Sequence, residues 1–195
     1  MKNRLAKITL ATLLTASALA ADSSDYRFHT SSLIGFEGGY SSMDVERNNG
    51  ITAATTQNHK FSHGGIKIGA QTEEYRLFLS GRYYVIDGFD YVSTMGAEFQ
   101  YMINFSSAAN IFLGVNTGLA SMKFTPTGET TSRTVSDPYV GADAGLNIHL
   151  GESVDFELGA RVLNLQAENT KNSIVYKFDN LISAYASIIF KYQID

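Results

Sequence analysis

Alternation of apolar and polar residues at a period of two is the feature that most constrains the fold of this chain. Near the C-terminus, apolar residues such as Ile182 and Phe190 occupy even positions, and polar residues such as Ser183 and Lys191 occupy odd ones. This period is that of a β-strand with two unlike faces. The pattern predicts eight strands, at residues 33–44, 61–71, 74–87, 91–105, 109–122, 137–150, 153–166 and 180–194.

These segments are long for β-strands. Most run to about 11–15 residues, whereas strands of globular proteins most often have about five or six. A tilted strand needs ~9–11 residues to cross a bilayer, and the segments after the N-terminal region include no apolar run of ~20 residues that would suit a membrane helix. The sequence therefore predicts an all-β fold: an eight-stranded, antiparallel, up-and-down transmembrane β-barrel.

The connections between the predicted strands differ in length. The short ones are 72–73, 106–108 and 151–152, and the long, polar ones are 45–60, 123–136 and 167–179. The connection at 87–90 is also short. Short turns on one rim and long loops on the other are typical of outer-membrane barrels, whose short turns face the periplasm. Because the number of strands is even, the N-terminal and C-terminal ends of the barrel both lie at that rim.

The N-terminus has the organisation of a secretory signal. Basic residues precede an apolar run at 8–19, and Ala18 and Ala20 form a small-x-small cleavage site. A membrane anchor is the alternative, but the run is short for a spanning helix. Export and the strand pattern together predict the outer membrane of a Gram-negative bacterium. The expected division is a signal peptide at 1–20, a short periplasmic segment at 21–32 and the barrel at 33–195.

Charged residues indicate which face of the barrel is inside. The polar faces of the predicted strands carry five acids and five bases, while the middle of the apolar faces carries none. An Arg or Lys that faces lipid near the bilayer centre costs ~2–4 kcal/mol, so the polar face must line the lumen. A soluble, lipocalin-like barrel with its apolar face inside is the alternative. Eight strands enclose too little space for all those apolar side chains and a ligand.

A narrow lumen with balanced charge predicts ion pairs in place of an aqueous pore, because charges removed from bulk water persist only when paired or hydrated. A narrow, porin-like channel is the alternative. The predicted interior network consists of Glu37, Lys67, Arg76, Arg82, Glu98, Asp143, Glu157, Arg161 and Lys191.

Aromatic residues on the apolar face lie near the predicted rims. Interfacial girdles of membrane proteins occupy this position, so these side chains and the apolar belt between them are expected to contact outer-membrane lipid and lipopolysaccharide. The predicted girdle consists of Phe36, Tyr75, Phe105, Phe156 and Tyr192 toward the short turns, and Tyr40 and Tyr83 toward the long loops.

Two motifs resemble the small OmpA/OmpX-type outer-membrane β-barrels. Phe36-Glu37-Gly38-Gly39-Tyr40-Ser41 is similar to the start of their first strand, and the spacing of Phe190 and Tyr192 is similar to their C-terminal assembly signal. The resemblance covers about residues 31–195. It implies insertion by the barrel-assembly machinery through the C-terminal strand. Such barrels commonly end in an aromatic residue, usually Phe, whereas this chain ends in Asp195.

Other function classes find little support in the sequence. The absence of cysteine excludes disulfide scaffolds and thiolate metal sites, and a net charge of −4 gives no nucleic-acid footprint. A lipid A-modifying enzyme would need a His with Ser, Asp or Glu near the outer rim. His149 adjoins a predicted short turn, and His59 and His63 are expected to be surface residues. No catalytic residue, cofactor or metal is predicted.

The long loops are where binding is expected, since loops on a rigid scaffold commonly carry function. The prediction is therefore a non-enzymatic barrel with a closed lumen that serves envelope structure, surface adhesion, or both. A host or cell-surface ligand at the long loops is the expected partner. A structural barrel with unselective loops remains an equal alternative at this point.

Overall fold

The computed structural model of the protein describes residues 30–48, 50, 53–126, 130–171 and 174–193. Eight antiparallel strands close into a single barrel in sequence order, and the first strand pairs with the last. This confirms the predicted fold. The strands are β1 (Ser31–Asn48), β2 (Thr55–Gln71), β3 (Tyr75–Val85), β4 (Phe89–Asn104), β5 (Ala109–Phe124), β6 (Arg133–His149), β7 (Val154–Lys171) and β8 (Ile174–Tyr192).

The N-terminal boundaries can be compared only in part. The expected signal peptide at 1–20 and most of the segment 21–32 lie outside the described residues. β1 begins at Ser31 rather than at Leu33. No helix in the described part of the chain is long and apolar enough to span a bilayer.

The prediction of three long loops is wrong in one respect, because most of their residues belong to paired strands. Ladders continue to Arg47–Thr55 in β1–β2, to Phe124–Arg133 in β5–β6 and to Lys171–Ile174 in β7–β8. The alternation of apolar residues predicts the end of each strand at the last outward-facing apolar residue. Backbone pairing continues regardless, since a hairpin in water needs no apolar exterior.

The lower part of the molecule is a closed barrel whose exterior is apolar, and it is here called the membrane barrel. β3 (Tyr75–Val85) crosses the membrane barrel with 11 residues. This length agrees with the ~9–11 residues that a tilted transmembrane strand needs. The large exposed side chains of this belt include Ile34, Ile66, Ile68, Leu77, Leu79, Met95, Phe99, Ile111, Leu113, Val115, Leu119, Val140, Leu158, Val162, Ile182 and Ile188.

Above the membrane barrel the wall is no longer continuous. The β2–β3 ladder ends at Ser62–Val85, and the β6–β7 ladder ends at Val140–Asn164. The upper strands therefore form two sheets, β2–β1–β8–β7 and β4–β5–β6. We call this part the outer sandwich.

Apolar side chains fill the space between the two sheets of the outer sandwich. Aromatic rings cross it: the centroid of Phe178 lies 6.1 Å from that of Phe89 and 5.3 Å from that of Phe124. We call this cluster the outer apolar core. Its buried members are Met43, Val45, Phe61, Tyr84, Ile86, Val92, Ala120, Met122, Phe124, Val135, Tyr139, Leu163, Leu165, Ala167, Phe178 and Leu181.

A β-bulge marks the transition between the two parts on β8. The registers of β1–β8 and β7–β8 both shift next to Asp179 and Asn180. Both of these residues are exposed, while Phe178 and Leu181 on either side of them are buried. A bulge inserts an extra residue and so allows two neighbours to face the same side. Above the bulge, side chains of β8 such as Phe178 therefore point into the molecule again.

Candidate functional site in the barrel lumen

The centre of the membrane barrel holds four charged side chains from four different strands, here called the upper ion cluster: Glu37, Arg82, Glu98 and Arg161. Glu37 Oε1 accepts hydrogen bonds from Arg82 Nε at 2.7 Å and from Arg161 Nη1 at 2.8 Å. Its Oε2 accepts from both guanidinium groups as well, at 3.2 and 3.1 Å. Arg82 also donates to Glu98. Two acids and two bases therefore neutralise one another at this level.

A second group lies nearer the rim that the short turns form and is here called the lower ion cluster: Lys67, Arg76, Asp155, Glu157 and Lys191. Glu157 accepts from Lys67 Nζ at 2.6 Å and from Arg76 Nη1 at 2.8 Å. Lys191 Nζ donates to Asp155 at 2.7 Å. Arg76 Nη2 is 3.9 Å from Asp155, which connects the two halves of the cluster.

Asp143 occupies the lumen but is not among the ion pairs of the described residues. Its carboxylate accepts hydrogen bonds from the side-chain amides of Gln100, at 2.7 Å, and Asn116, at 2.6 Å. The Tyr185 hydroxyl is 3.5 Å away. Asp143 was predicted to be part of the interior ion-pair network, and the structure instead gives it neutral partners. Strand register, which the sequence does not reveal, determines this outcome.

His63 lies in the lumen, so the prediction that it is a surface residue is wrong. It is 6% exposed, and its Nδ1 is 2.8 Å from Ser41 Oγ. Its Nε2 is 3.3 Å from Glu37 Oε1. The Ser41 hydroxyl also lies 2.8 Å from that of Ser183. Odd positions of β2 point inward, which is why His63 shares the face of Lys67.

The Ser41, His63 and Glu37 side chains bring a hydroxyl, an imidazole and a carboxylate together, but the geometry suits a buried hydrogen-bond network. Ser41 is only 2% exposed, and the outer apolar core lies above it. A nucleophilic serine must be reached by its substrate. Both carboxylate oxygens of Glu37 already accept from arginines, so this group orders the cluster.

His149 lies at the rim that the short turns form, as its place beside one of them indicated. Its Nδ1 is 2.8 Å from Asp155 and its Nε2 is 3.3 Å from the Asn110 amide. Within the described ranges, no group of three or more His, Asp or Glu side chains has an arrangement that could bind a metal ion.

Interior glycines make room for the large lumen side chains. A Cβ atom added to Gly159 would lie 2.5 Å from the ring of Tyr185, and one added to Gly35 would lie 2.8 Å from Lys67 Cγ. Tyr185 in turn stacks beneath the Arg161 guanidinium, 4.3 Å from the ring centroid. The space that Gly159 leaves therefore sets the position of a ring that supports the upper ion cluster.

The residues of the predicted girdle face outward at both ends of the belt, and all except the half-buried Phe156 are exposed. At the lower rim, the ring centroids of Tyr75 and Phe99 are 5.6 Å apart, and those of Phe36 and Phe190 are 6.5 Å apart. The exposed outward-facing aromatic residues of the prediction are Phe36, Tyr40, Tyr75, Tyr83, Phe105 and Tyr192.

Sequence reasoning missed the outer apolar core. The signal was present: Val135, Leu163 and Leu165 share the inward parity of the charged lumen residues, and polar residues such as Ser136 and Asn164 face the other way. Apolar side chains on the inward face indicate a region outside lipid, where the exterior has to be polar.

The chain is similar to known outer-membrane proteins in sequence pattern and in fold. Residues 8–187 match the family model of the outer membrane protein beta-barrel domain. A comparison with curated proteins found no match. The crystal structure of neisserial surface protein A is similar in fold, with a TM-score of 0.59, 15% identity, and coverage of 80% of this chain and 97% of that one. The N-terminal barrel of Pseudomonas aeruginosa OprF is also similar, with a TM-score of 0.51, 13% identity, and coverage of 82% and 97%.

Proposed function

This chain belongs to the outer membrane protein beta-barrel domain family, and from that premise we propose that it is a non-enzymatic barrel with a closed lumen, which supports the cell envelope and binds partners at the cell surface. The observation that carries this proposal is the filling of the lumen by two different kinds of side chain. Ion pairs occupy the membrane barrel, and the outer apolar core occupies the space above them.

The two layers oppose ion flow for different reasons. Displacing Arg82 or Arg161 from the upper ion cluster would leave two buried acids with a single base, and removing one partner of a buried ion pair typically costs about 3–5 kcal/mol. The outer apolar core offers a passing ion little beyond the hydroxyl groups of Tyr84 and Tyr139 in place of its water shell. A conducting path would need both layers to move, which supports a closed barrel over a channel.

Binding at the cell surface is supported by the form of the outer sandwich. Its exterior is polar and exposed at Asp44, Asn58, Lys60, Ser136 and Asn180, and its interior is packed. A rigid scaffold that presents polar side chains above the membrane lowers the entropic cost of binding a partner. Adhesion to a host or cell-surface ligand is the function that this arrangement favours.

Contacts with the membrane and with the assembly machinery are part of the proposal. The aromatic side chains at the two rims, among them Tyr40, Tyr75 and Tyr83, would lie at the headgroups, and lipopolysaccharide would surround the outer rim. The barrel-assembly machinery would engage β8, whose Phe190 and Tyr192 face outward. A cleaved signal peptide would deliver the chain to the periplasm of a Gram-negative cell.

Two measurements test the closed, membrane-inserted barrel. On an unboiled gel, a membrane fraction should contain a band of anomalous mobility that shifts on boiling, as a stable barrel requires. In planar bilayers the purified protein should give no stable conductance steps. Large, stable steps would contradict the closed lumen, and recovery as a water-soluble monomer would contradict the barrel in the membrane.

Surface binding is tested by shortening the outer hairpins. Replacing residues 46–57 and 125–132 by tight turns shortens both hairpins and leaves the buried aromatic residues of the outer apolar core in place. An adhesive protein should lose attachment of expressing cells to host cells while its heat-modifiable migration is unchanged. If attachment is unchanged and only resistance to detergents is lost, the protein has a structural role and no adhesive one.

A further inference from the structure

Four of the five methionines of the chain lie in the described residues, and they differ sharply in exposure. Met43, Met102 and Met122 are buried, with exposed fractions of 0–2%. Met95 is 74% exposed, the largest exposed fraction of any large apolar side chain in the described part of the barrel. The thioether of Met95 is therefore the methionine sulfur of these four that a reagent from outside can reach.

Met95 lies at the upper end of the apolar belt on β4. The outward-facing residues below it are apolar, beginning with Ala97 and Phe99, and the next outward-facing residue above it is Ser93. Ser93 pairs with Tyr83, an exposed aromatic residue of the outer rim. Aromatic residues of such rims lie at the headgroups, so the sulfur of Met95 would lie just below them. Small molecules that enter the bilayer from outside pass this level first.

The strands beside Met95 leave its side chain uncovered. On β3 the residue that pairs with Met95 is Gly81, and a Cβ atom added to this glycine would have no neighbour within 4 Å. On β5 the paired residue is Leu119, which is itself 57% exposed. The barrel wall therefore gives the sulfur little protection from a reagent in the outer leaflet.

We propose that Met95 is an oxidation site, at which a peroxide that arrives from outside converts the thioether to a sulfoxide. A lone pair of the sulfur attacks one oxygen of hydrogen peroxide, and an S–O bond forms as the O–O bond breaks. The hydroxide that leaves takes the proton of the S–OH group and becomes water. One thioether and one peroxide thus give one sulfoxide and one water. Methionine sulfoxide reductases reverse this modification.

The position of Met95 determines what the modification does to the barrel. Methionine sulfoxide is polar and disrupts a packed apolar core. Met43 and Met122 belong to the outer apolar core, so their oxidation would damage it. Met95 belongs to none of the apolar clusters of the described residues, and its flexible side chain can turn a sulfoxide toward the headgroups. The barrel therefore stays folded while its lipid-facing rim becomes more polar on β4.

The test treats the intact protein in lipid vesicles with hydrogen peroxide and follows the gain of one oxygen at each methionine by mass spectrometry of its peptides. We expect Met95 to react about tenfold faster, or more, than the three buried methionines, because susceptibility follows exposure. In urea, where burial is lost, the four rates should be similar. On unboiled gels, the protein oxidised at Met95 should keep its heat-modifiable migration.

Two variants separate the position from the residue type. Met95→Leu should remove the fast reaction and leave the slow ones unchanged. Met95→Leu combined with Leu119→Met moves the thioether to the paired outward position on β5, where the fast reaction should return. Met102→Leu is the matched control inside the barrel, and it should leave the rate at Met95 unchanged.

Equal rates at Met95 and at the buried methionines of the folded protein would overturn the inference, because exposure would then not select the site. A Met95 that reacts in detergent micelles but resists in vesicles would also overturn it, since lipid would then cover the sulfur. Loss of heat-modifiable migration in step with Met95 oxidation would show that the barrel does not tolerate the modification. None of these readouts depends on surface binding, so they test the inference separately from the proposed function.

Discussion

The membrane barrel and the outer sandwich are built from the same continuous strands, yet their polarity is reversed. On β3 and β4, Leu79 and Phe99 face outward while Arg82 and Glu98 face the lumen. Higher up, apolar side chains such as Phe178 point inward, and polar ones face water. Side-chain parity is maintained across the boundary on strands such as β6 and β7, whereas the bulge on β8 shifts it by one position. On each of these strands, what changes across the boundary is the solvent outside.

The same comparison explains why one part is closed and the other is not. Lipid offers no hydrogen-bond partner to a strand edge, so the membrane barrel must pair every strand on both sides. Water can satisfy the edges above Ser62 and Val140, and the ladders end there. The outer sandwich is consequently held together by its apolar core, and the membrane barrel by its ladders and ion pairs.

Removal of the central acid should have the largest effect on the membrane barrel. Glu37→Ala leaves Arg82 and Arg161 facing each other, and we expect a loss of about 3–5 kcal/mol in the free energy of unfolding. The measurement is a urea titration in vesicles, followed as the folded fraction on unboiled gels. Glu46→Ala in the outer sandwich is the control, with an expected change within about 0.5 kcal/mol. Similar losses for both variants would contradict the difference between the two parts.

Truncation of a core ring should damage the outer sandwich first. Phe178 is fully buried against Phe89 and Phe124, so Phe178→Ala should cost about 3–5 kcal/mol locally. Hydrogen exchange should then rise in upper β8 and much less around Ile188 in the membrane barrel, because regions open separately. Uniform acceleration along β8 would show that the two parts unfold as a single unit.

Arginine substituted at outward-facing positions should distinguish the lipid-facing exterior of the membrane barrel from the water-facing exterior of the outer sandwich. Val115 is 60% exposed in the middle of the apolar belt, and Val115→Arg should cost about 2–4 kcal/mol in vesicles. Ser136→Arg, also outward but in the outer sandwich, should change stability by no more than about 0.5 kcal/mol. The same urea titration applies. A costly Ser136→Arg would place the bilayer boundary higher than the polarity indicates.

The smallest effect is expected at the junction of the two parts. Ser41 connects His63 and Ser183, so Ser41→Ala should cost about 1–3 kcal/mol through an imidazole left with fewer partners. Ser41→Thr keeps the hydroxyl and should restore most of the loss if its methyl group fits. Equal stability of Ser41→Ala and the natural chain would show that this hydrogen bond is dispensable.

Period-two alternation made the membrane barrel predictable from the sequence, because lipid and a narrow lumen impose opposite polarities on neighbouring residues. Glu98 and Phe99, for example, can exchange faces only at a large energetic cost. The ion-pair partners were not predictable, since Arg161 reaches Glu37 across 124 positions through a closure that depends on register.

The outer sandwich was less predictable for identifiable reasons. The bulge at Asp179 and Asn180 interrupts the alternation, so alternation alone places Phe178 in a loop. Thr55–Lys60 is polar on both faces and carries no period at all. The lumen position of His63 follows from the parity that it shares with Lys67 in the predicted second strand. Its place near the end of that strand, next to a polar segment, pointed to the surface instead.

The central claim is the reversal of polarity at the level of Ser62 and Val140, and depth-dependent quenching tests it most directly. The chain has no cysteine, so fluorophores can be attached at single cysteines introduced at the outward positions Val115, Ile188, Ser136 and Asn180. In vesicles with brominated acyl chains, we expect strong quenching at Val115 and Ile188, and quenching only by a water-soluble agent at Ser136 and Asn180. Acyl-chain quenching of equal strength at all four positions would contradict the account.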